Sequence, residues 1–260
     1  MSATASVNPA VPLGRAGRDQ RPGFGRLIAV ELRKMVNTRS GFWVPIGVAL
    51  ITMAVAIVAS ANHGGHDATF TDVLHATAQP AMYLLPVMGV LLICGEWSQR
   101  TTLTTFTLAP SRWRVIGAKL GASTIVSTIA LAVCLLLTVV CASALGHAPG
   151  GTGSLPWQVL AQWWLFLVAG MVMGLAFGAA LLVSAPAIVA FLLLPTVLHA
   201  VASNIHALDG VARWLDPGAS LGSQFTMNST EWAHALVTYA AWIGIPIVIG
   251  ALRIGRGDID

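Results

Sequence analysis

Charge is scarce in this sequence. Asp, Glu, Lys and Arg together make 9% of its 260 residues, against roughly 25% in an ordinary soluble domain. So little charge cannot coat a water-exposed surface of this size. Cysteine is scarce too. Cys94, Cys134 and Cys141 lie in or at the ends of apolar runs, with no metal or redox spacing between any two. That argues against a disulfide framework and leaves small apolar fillers of helix packing. The run Gly-x-x-x-x-Gly-Lys-Ser/Thr is missing, so the chain has no phosphate-cradling loop of that kind. No basic face can be drawn on a folded surface, so the net charge of +4 is not the footprint of a nucleic-acid binder. Nor does a nucleophile–base pair or metal constellation stand out. Asn62-His63-Gly64-Gly65-His66-Asp67 contains suitable donor types but no strong ligand spacing. With His75, His147, His199, His206 and His234, these histidines read as neutral interfacial residues.

What the chain has in excess is apolar length. Hydrophobic residues make 56% of it, and they fall into runs of the length that crosses a bilayer, about 20 residues each. The expected spans are Phe42–Ala61, Ala78–Gly95, Leu120–Leu145, Val159–Val183, Ala187–Ser203 and Ala233–Leu252, none containing Asp, Glu, Lys or Arg. The stretch 159–203 is too long for one crossing, and Ser184-Ala185-Pro186 is expected to divide it. All but one of the 14 Lys and Arg residues fall in segments that this topology places on one side: Arg15 to Arg39, Arg100 to Lys119, then Arg253 and Arg256. Only Arg213 is left for the other. Positive charge beside spans is retained in the cytoplasm, so both termini are expected inside, in a bacterial inner membrane. The fold class expected is all-α: a polytopic membrane protein with six transmembrane helices and an N-terminal amphipathic interfacial helix.

Residues 1–22 lack hydrophobic period and read as a disordered cytoplasmic tail, without the apolar core of a signal peptide. The membrane-spanning body then runs over 23–260. In 23–39, Phe24, Leu27, Ile28, Leu32 and Met35 recur at helical spacing, opposite Arg26, Arg33 and Asn37. This is the pattern of a helix lying in the inner interface. Glu31 sits in the middle of the apolar face. It pairs either with Lys34, three residues on, or with a basic group from a neighbouring loop. Pro45, Pro80, Pro86, Pro195 and Pro246 lie within spans, as hinges or as static kinks. Gly170, Gly174 and Gly178 form a row at four-residue intervals that admits a close neighbour, either within the protomer or across a dimer. Residues 204–232 form the longest outer segment, and Trp214 and Trp232 suit short helices dipping into the outer leaflet.

The stretch Gly95-Glu96-Trp97-Ser98-Gln99-Arg100-Thr101-Thr102-Leu103, followed by Ala109-Pro110-Ser111-Arg112 and Lys119, is specific. It resembles the first cytoplasmic loop of ABC-2-type permeases, the membrane subunits of a class of ATP-binding-cassette transporters. Their pattern is a Glu closing the second span, a Gly-Thr pair, a Pro-x-Arg turn and a Lys opening the third span. Glu96, Thr102, Pro110, Arg112 and Lys119 match. Thr101 stands where the family has Gly. Glu31-Leu32-Arg33-Lys34 is similar to the family's connecting helix. The six spans, the long outer loop and the terminal Arg253-Ile254-Gly255-Arg256-Gly257-Asp258-Ile259 extend the resemblance over nearly the whole chain.

The resemblance implies a permease with no catalytic residues and no cofactor of its own. ATP and Mg would be bound by a separate ABC ATPase in two copies, and a second permease subunit, identical or homologous, would complete the transporter. Glu96, Arg100, Thr101, Thr102, Pro110 and Arg112 would receive the ATPase, with Thr101 to Phe106 as a short helix closed by Pro110. Glu31, Arg33 and Lys34 would belong to the interfacial helix. Export of a hydrophobic or amphipathic compound, such as an antibiotic, lipid or peptide, is the activity this implies. A secondary transporter would need ionisable groups at membrane depth, and His199 is the obvious candidate in the spans. A sensor or immunity protein of the same architecture is the remaining alternative.

Overall fold

The computed structural model describes residues 23–37, 39–62, 70–98, 112–144, 157–205, 210, 214–217 and 229–257. The N-terminal tail, the segment 99–111 and most of the outer segments lie outside the described residues. Those described are almost wholly helical, with no strand among them. Seven helices follow in order: α1 Phe24–Val36, α2 Arg39–Asn62, α3 Phe70–Ser98, α4 Arg112–Ala144, α5 Trp157–Leu181, α6 Ser184–Asn204 and α7 Ser229–Gly257. Six of them, α2 to α7, are long and apolar enough to cross a membrane. The chain is an all-α polytopic membrane protein.

The helices reach beyond the expected spans where polar residues masked them. α3 begins at Phe70 rather than Ala78. Asp72, His75 and Thr77 break the apolar run in sequence, yet Val73, Leu74 and Thr77 are buried. The indole nitrogen of Trp163 on α5 donates to His75 Nδ1 at 3.1 Å, so the polar turn is held by a neighbouring helix. α4 begins at Arg112, two turns before its expected span. The division of 159–203 falls at Leu182-Val183, slightly earlier than expected. Ser184, Ala185 and Pro186 form the first turn of α6, where proline costs nothing because that amide lacks a helical partner anyway. Leu182 makes the reversal with φ of 59°, a left-handed conformation uncommon outside glycine.

α5 is the central helix. Trp163, Phe166, Leu167, Met171, Gly174, Phe177 and Gly178 are all buried along it. The glycine row faces α3 of the same chain. A Cβ on Gly174 would stand 2.1 Å from the Pro86 carbonyl oxygen, and one on Gly178 would stand 3.0 Å from that of Val90. Gly89 of α3 returns the fit, meeting the Met171 carbonyl oxygen at 2.5 Å. Of the two packing partners left open by sequence, the neighbour within the protomer occupies the row. α7 closes on another part of α5, with Gly250 against the Ala179 carbonyl. α6 buries little and exposes Val189, Leu193, Leu194, Val197 and Val201, a surface suited to lipid or to a further membrane helix.

Candidate functional site

α1 lies across one end of the bundle. Gly117 and Gly121 of α4 leave room for its Phe24 and Ile28 side chains. Leu32 packs on the same core, and Met35 is buried in it. The apolar face of the amphipathic helix therefore meets α4 and the core, which carries Glu31 to the centre of a helix junction.

Four charged side chains close a ring there. Lys34 Nζ donates to Glu31 Oε1 at 2.8 Å and to Glu96 Oε1 at 2.7 Å. Lys119 Nζ donates to Glu31 Oε2 at 2.7 Å and to Glu96 Oε1 at 2.8 Å. Two acids and two bases sum to zero charge. The ring ties α1 to the last turns of α3 and the second turn of α4. Lys119 and Glu31 are withdrawn from water, their side chains 8% and 5% exposed. Both alternatives for Glu31 are realised: Lys34 on its own helix and Lys119 near the start of α4. Burial works against the charged form of Lys34. The hydrogen bonds and charges of Glu31 and Glu96 outweigh it and raise its pKa above the ordinary 10.5.

Each lysine serves two carboxylate contacts. Among the described residues no group of three His, Cys, Asp or Glu side chains could hold a metal. The ring's effect is mechanical. Charges out of water interact far more strongly than surface pairs, and breaking one leaves another uncompensated. Displacing one of the three helix ends therefore strains the other two.

Arg33 is exposed on α1, outside the ring. Arg112 opens α4, with its side chain outside the described residues. Arg100, Thr101, Thr102 and Pro110 lie in 99–111, outside the described residues, as does the short helix expected over 101–106. At the same end of the bundle Arg253 Nη1 donates to the Ala180 carbonyl at 3.0 Å, close to where α5 terminates. A cation suits the carbonyl-rich end of a helix.

At the opposite end the Trp214–Pro217 segment enters the bundle. Thr238 Oγ1 donates to the Trp214 carbonyl at 2.8 Å, and Trp242 Nε1 donates to that of Leu215 at 2.6 Å. Thr238 and Trp242 lie about 10 and 16 Å along α7 from Glu231, at ~1.5 Å per residue. Trp214–Pro217 is thus packed against α7. It brings Asp216 to His199 of α6, Oδ2 to Nδ1 at 2.5 Å. No sequence spacing pointed to that pair. Its signal was an acidic residue among Trp214, Leu215 and Pro217, a setting too apolar for an unpartnered carboxylate.

The sequence matches no known protein-family model and no characterised protein.

Proposed function

We propose that the chain is the permease subunit of an ABC-2-type transporter in a bacterial inner membrane, with both termini in the cytoplasm. ATP is hydrolysed by a separate ATPase, present in two copies, and a second permease subunit completes the pathway. The cargo is a hydrophobic or amphipathic compound, moved outward. Six apolar helices are compatible with this. The observation that carries it is the ring, taken with the motif that supplies two of its members. Glu96 and Lys119 flank the segment 99–111, and they are bonded to each other and to α1. A soluble ATPase can move a permease only by pushing on a projection joined stiffly to membrane helices. A segment whose two flanks are clamped in this way passes displacement to α1, α3 and α4 together.

The test is co-expression with its cognate ABC ATPase. A stable complex and ATP-driven transport in inverted vesicles are expected, with no ATP turnover by the isolated chain. Arg100→Glu with Arg112→Glu is expected to weaken assembly or uncouple hydrolysis from transport, because opposed charge replaces attraction at the contact. Expression and insertion are checked alongside, since those arginines also carry positive-inside charge. Robust ATP turnover by the pure chain would sink the proposal. A double variant that inserts, assembles and transports normally would remove 99–111 from the coupling surface.

One observation favours a second reading. Buried Asp216 is bonded to His199 of α6, an ionisable pair of the kind that ion-coupled transporters use. That reading expects transport driven by an imposed proton gradient without ATP.

A further inference from the structure

α6 and α7 each pack on α5 and touch each other little. Between them lies a cleft of about 400 Å³, floored by α5. Phe177 of α5 and Trp242 of α7 stack there, ring centroids 6.1 Å apart and 23° from parallel. The other lining side chains are Ala, Leu, Ile and Pro, and Trp242 Nε1 is engaged on the Leu215 carbonyl. Leu194, Ile245 and Ile249 are both lining and exposed, so the cleft opens outward from the bundle. It is elongated: Ala190 to Leu198 on α6 and Ala241 to Ile249 on α7 each cover about 12 Å at ~1.5 Å per residue.

A cation stands at one end of it. Arg253 follows Ile249 by four residues, one turn further along the same face of α7. Its side chain is exposed. Its Nη1 donates to the carbonyl of Ala180, which itself lines the cleft. Arg253 also ends the membrane-spanning stretch Glu231–Arg253, so its guanidinium stands where hydrocarbon gives way to headgroups.

Size and chemistry choose between occupants. A 12 Å length of helix about 10 Å across takes on the order of 900 Å³, more than twice the cleft. Water gains little from walls of this composition. A single hydrocarbon chain suits both the length and the walls, and its headgroup emerges at Arg253. The planar guanidinium matches phosphodiester oxygens, and the bond to Ala180 holds it in place.

We propose that the α6–α7 cleft holds an acyl chain of an anionic glycerophospholipid, with its phosphodiester on Arg253. The lipid is resident rather than cargo, and the site does not depend on the permease reading.

The test is native mass spectrometry of the full chain, delipidated in detergent and titrated with phosphatidylglycerol. One saturable adduct is expected, tighter than that of phosphatidylcholine with the same chains, whose choline cation opposes Arg253. Glycerophosphoglycerol, the headgroup without chains, should not compete. Arg253→Gln should weaken binding about tenfold or more, the loss of one charge-assisted contact, and Arg253→Lys should restore part of it. Arg33→Gln, at an exposed cation of α1, should leave affinity unchanged. Ala190→Phe fills the cleft from α6 and should abolish binding while the protein stays monodisperse. No saturable adduct on the parent chain overturns the proposal. So does equal affinity for phosphatidylcholine, parental affinity in Arg253→Gln or Ala190→Phe, or an equal loss in Arg33→Gln. A lipid-free dimer that Ala190→Phe dissociates would assign the cleft to a second copy and overturn it too. If Ala190→Phe does not fold, Ala241→Phe fills the cleft from α7, and the contrast between Arg253→Gln and Arg33→Gln decides if neither folds.

Discussion

Lys119 and Glu31 illustrate how charges sit in an apolar setting when opposite charges stand within hydrogen-bond reach. Replacing an entire buried ion pair with apolar groups is often neutral. Removing one member costs on the order of 3–5 kcal/mol, because the other is left buried and unpaired. Lys119→Met should therefore lower the melting temperature of the purified chain sharply, leaving Glu31 and Glu96 to share Lys34. Glu96→Leu with Lys119→Leu leaves the neutral Glu31–Lys34 pair and should recover most of the loss. Thermal scans of the two variants side by side decide this, and an unchanged melting temperature in Lys119→Met would contradict the ring. The pH dependence has a definite sign. The pKa of Lys34 is raised above its ordinary 10.5. Its stabilisation is complete below the unfolded value and is lost as pH rises through the higher folded value. The same scans should show a fall above about pH 10.4, and Lys34→Met should lose that increment.

Between helices, contact distance rather than charge sets the tolerance. The Cβ that Gly174 lacks would meet the oxygen, carbon and Cα of Pro86 at 2.1, 2.9 and 3.1 Å. All three are backbone atoms and cannot rotate aside. Gly174→Ala must push α3 from α5, and overpacking of that kind costs roughly 1–3 kcal/mol or more. Gly47 of α2 has nothing within 4 Å of the same position. Gly47→Ala should be neutral or slightly stabilising, by up to about 1 kcal/mol of helix propensity. Folded yield by size-exclusion chromatography separates the two. Equal yields would mean that α3 and α5 do not touch as described. The Gly170–Gly174–Gly178 row was legible in sequence because glycine at four-residue spacing has a steric meaning by itself. Its partner was not, since Pro86 and Val90 carry no mark of the contact. Gly117 and Gly121 carried the same spacing, and they seat α1.

For the molecule as a whole, the spans were legible because bilayer thickness imposes a length, and the count of positive charge by side predicts an orientation. Single cysteines at 65, 151 and 220 in a background lacking Cys94, Cys134 and Cys141 should react with an impermeant thiol reagent from outside, and cysteines at 20, 105 and 258 should not. External labelling at 105 would overturn the map. Asp216 meeting His199 and Lys119 meeting Glu31 were beyond sequence reading for a common reason: each joins elements whose rotation about their axes is set only by packing. The second of these contacts also bears on how the protein is made. Glu31 and Lys119 are 88 residues apart. At about 5–20 residues per second of synthesis, Glu31 waits roughly 4 to 18 seconds for its second partner, with only Lys34 beside it. In that interval α1 has neither α4 to lie on nor a closed ring to join. α1 is thus made well before it can close its ring, and a ribosome stalled between the second and third spans would display it undocked.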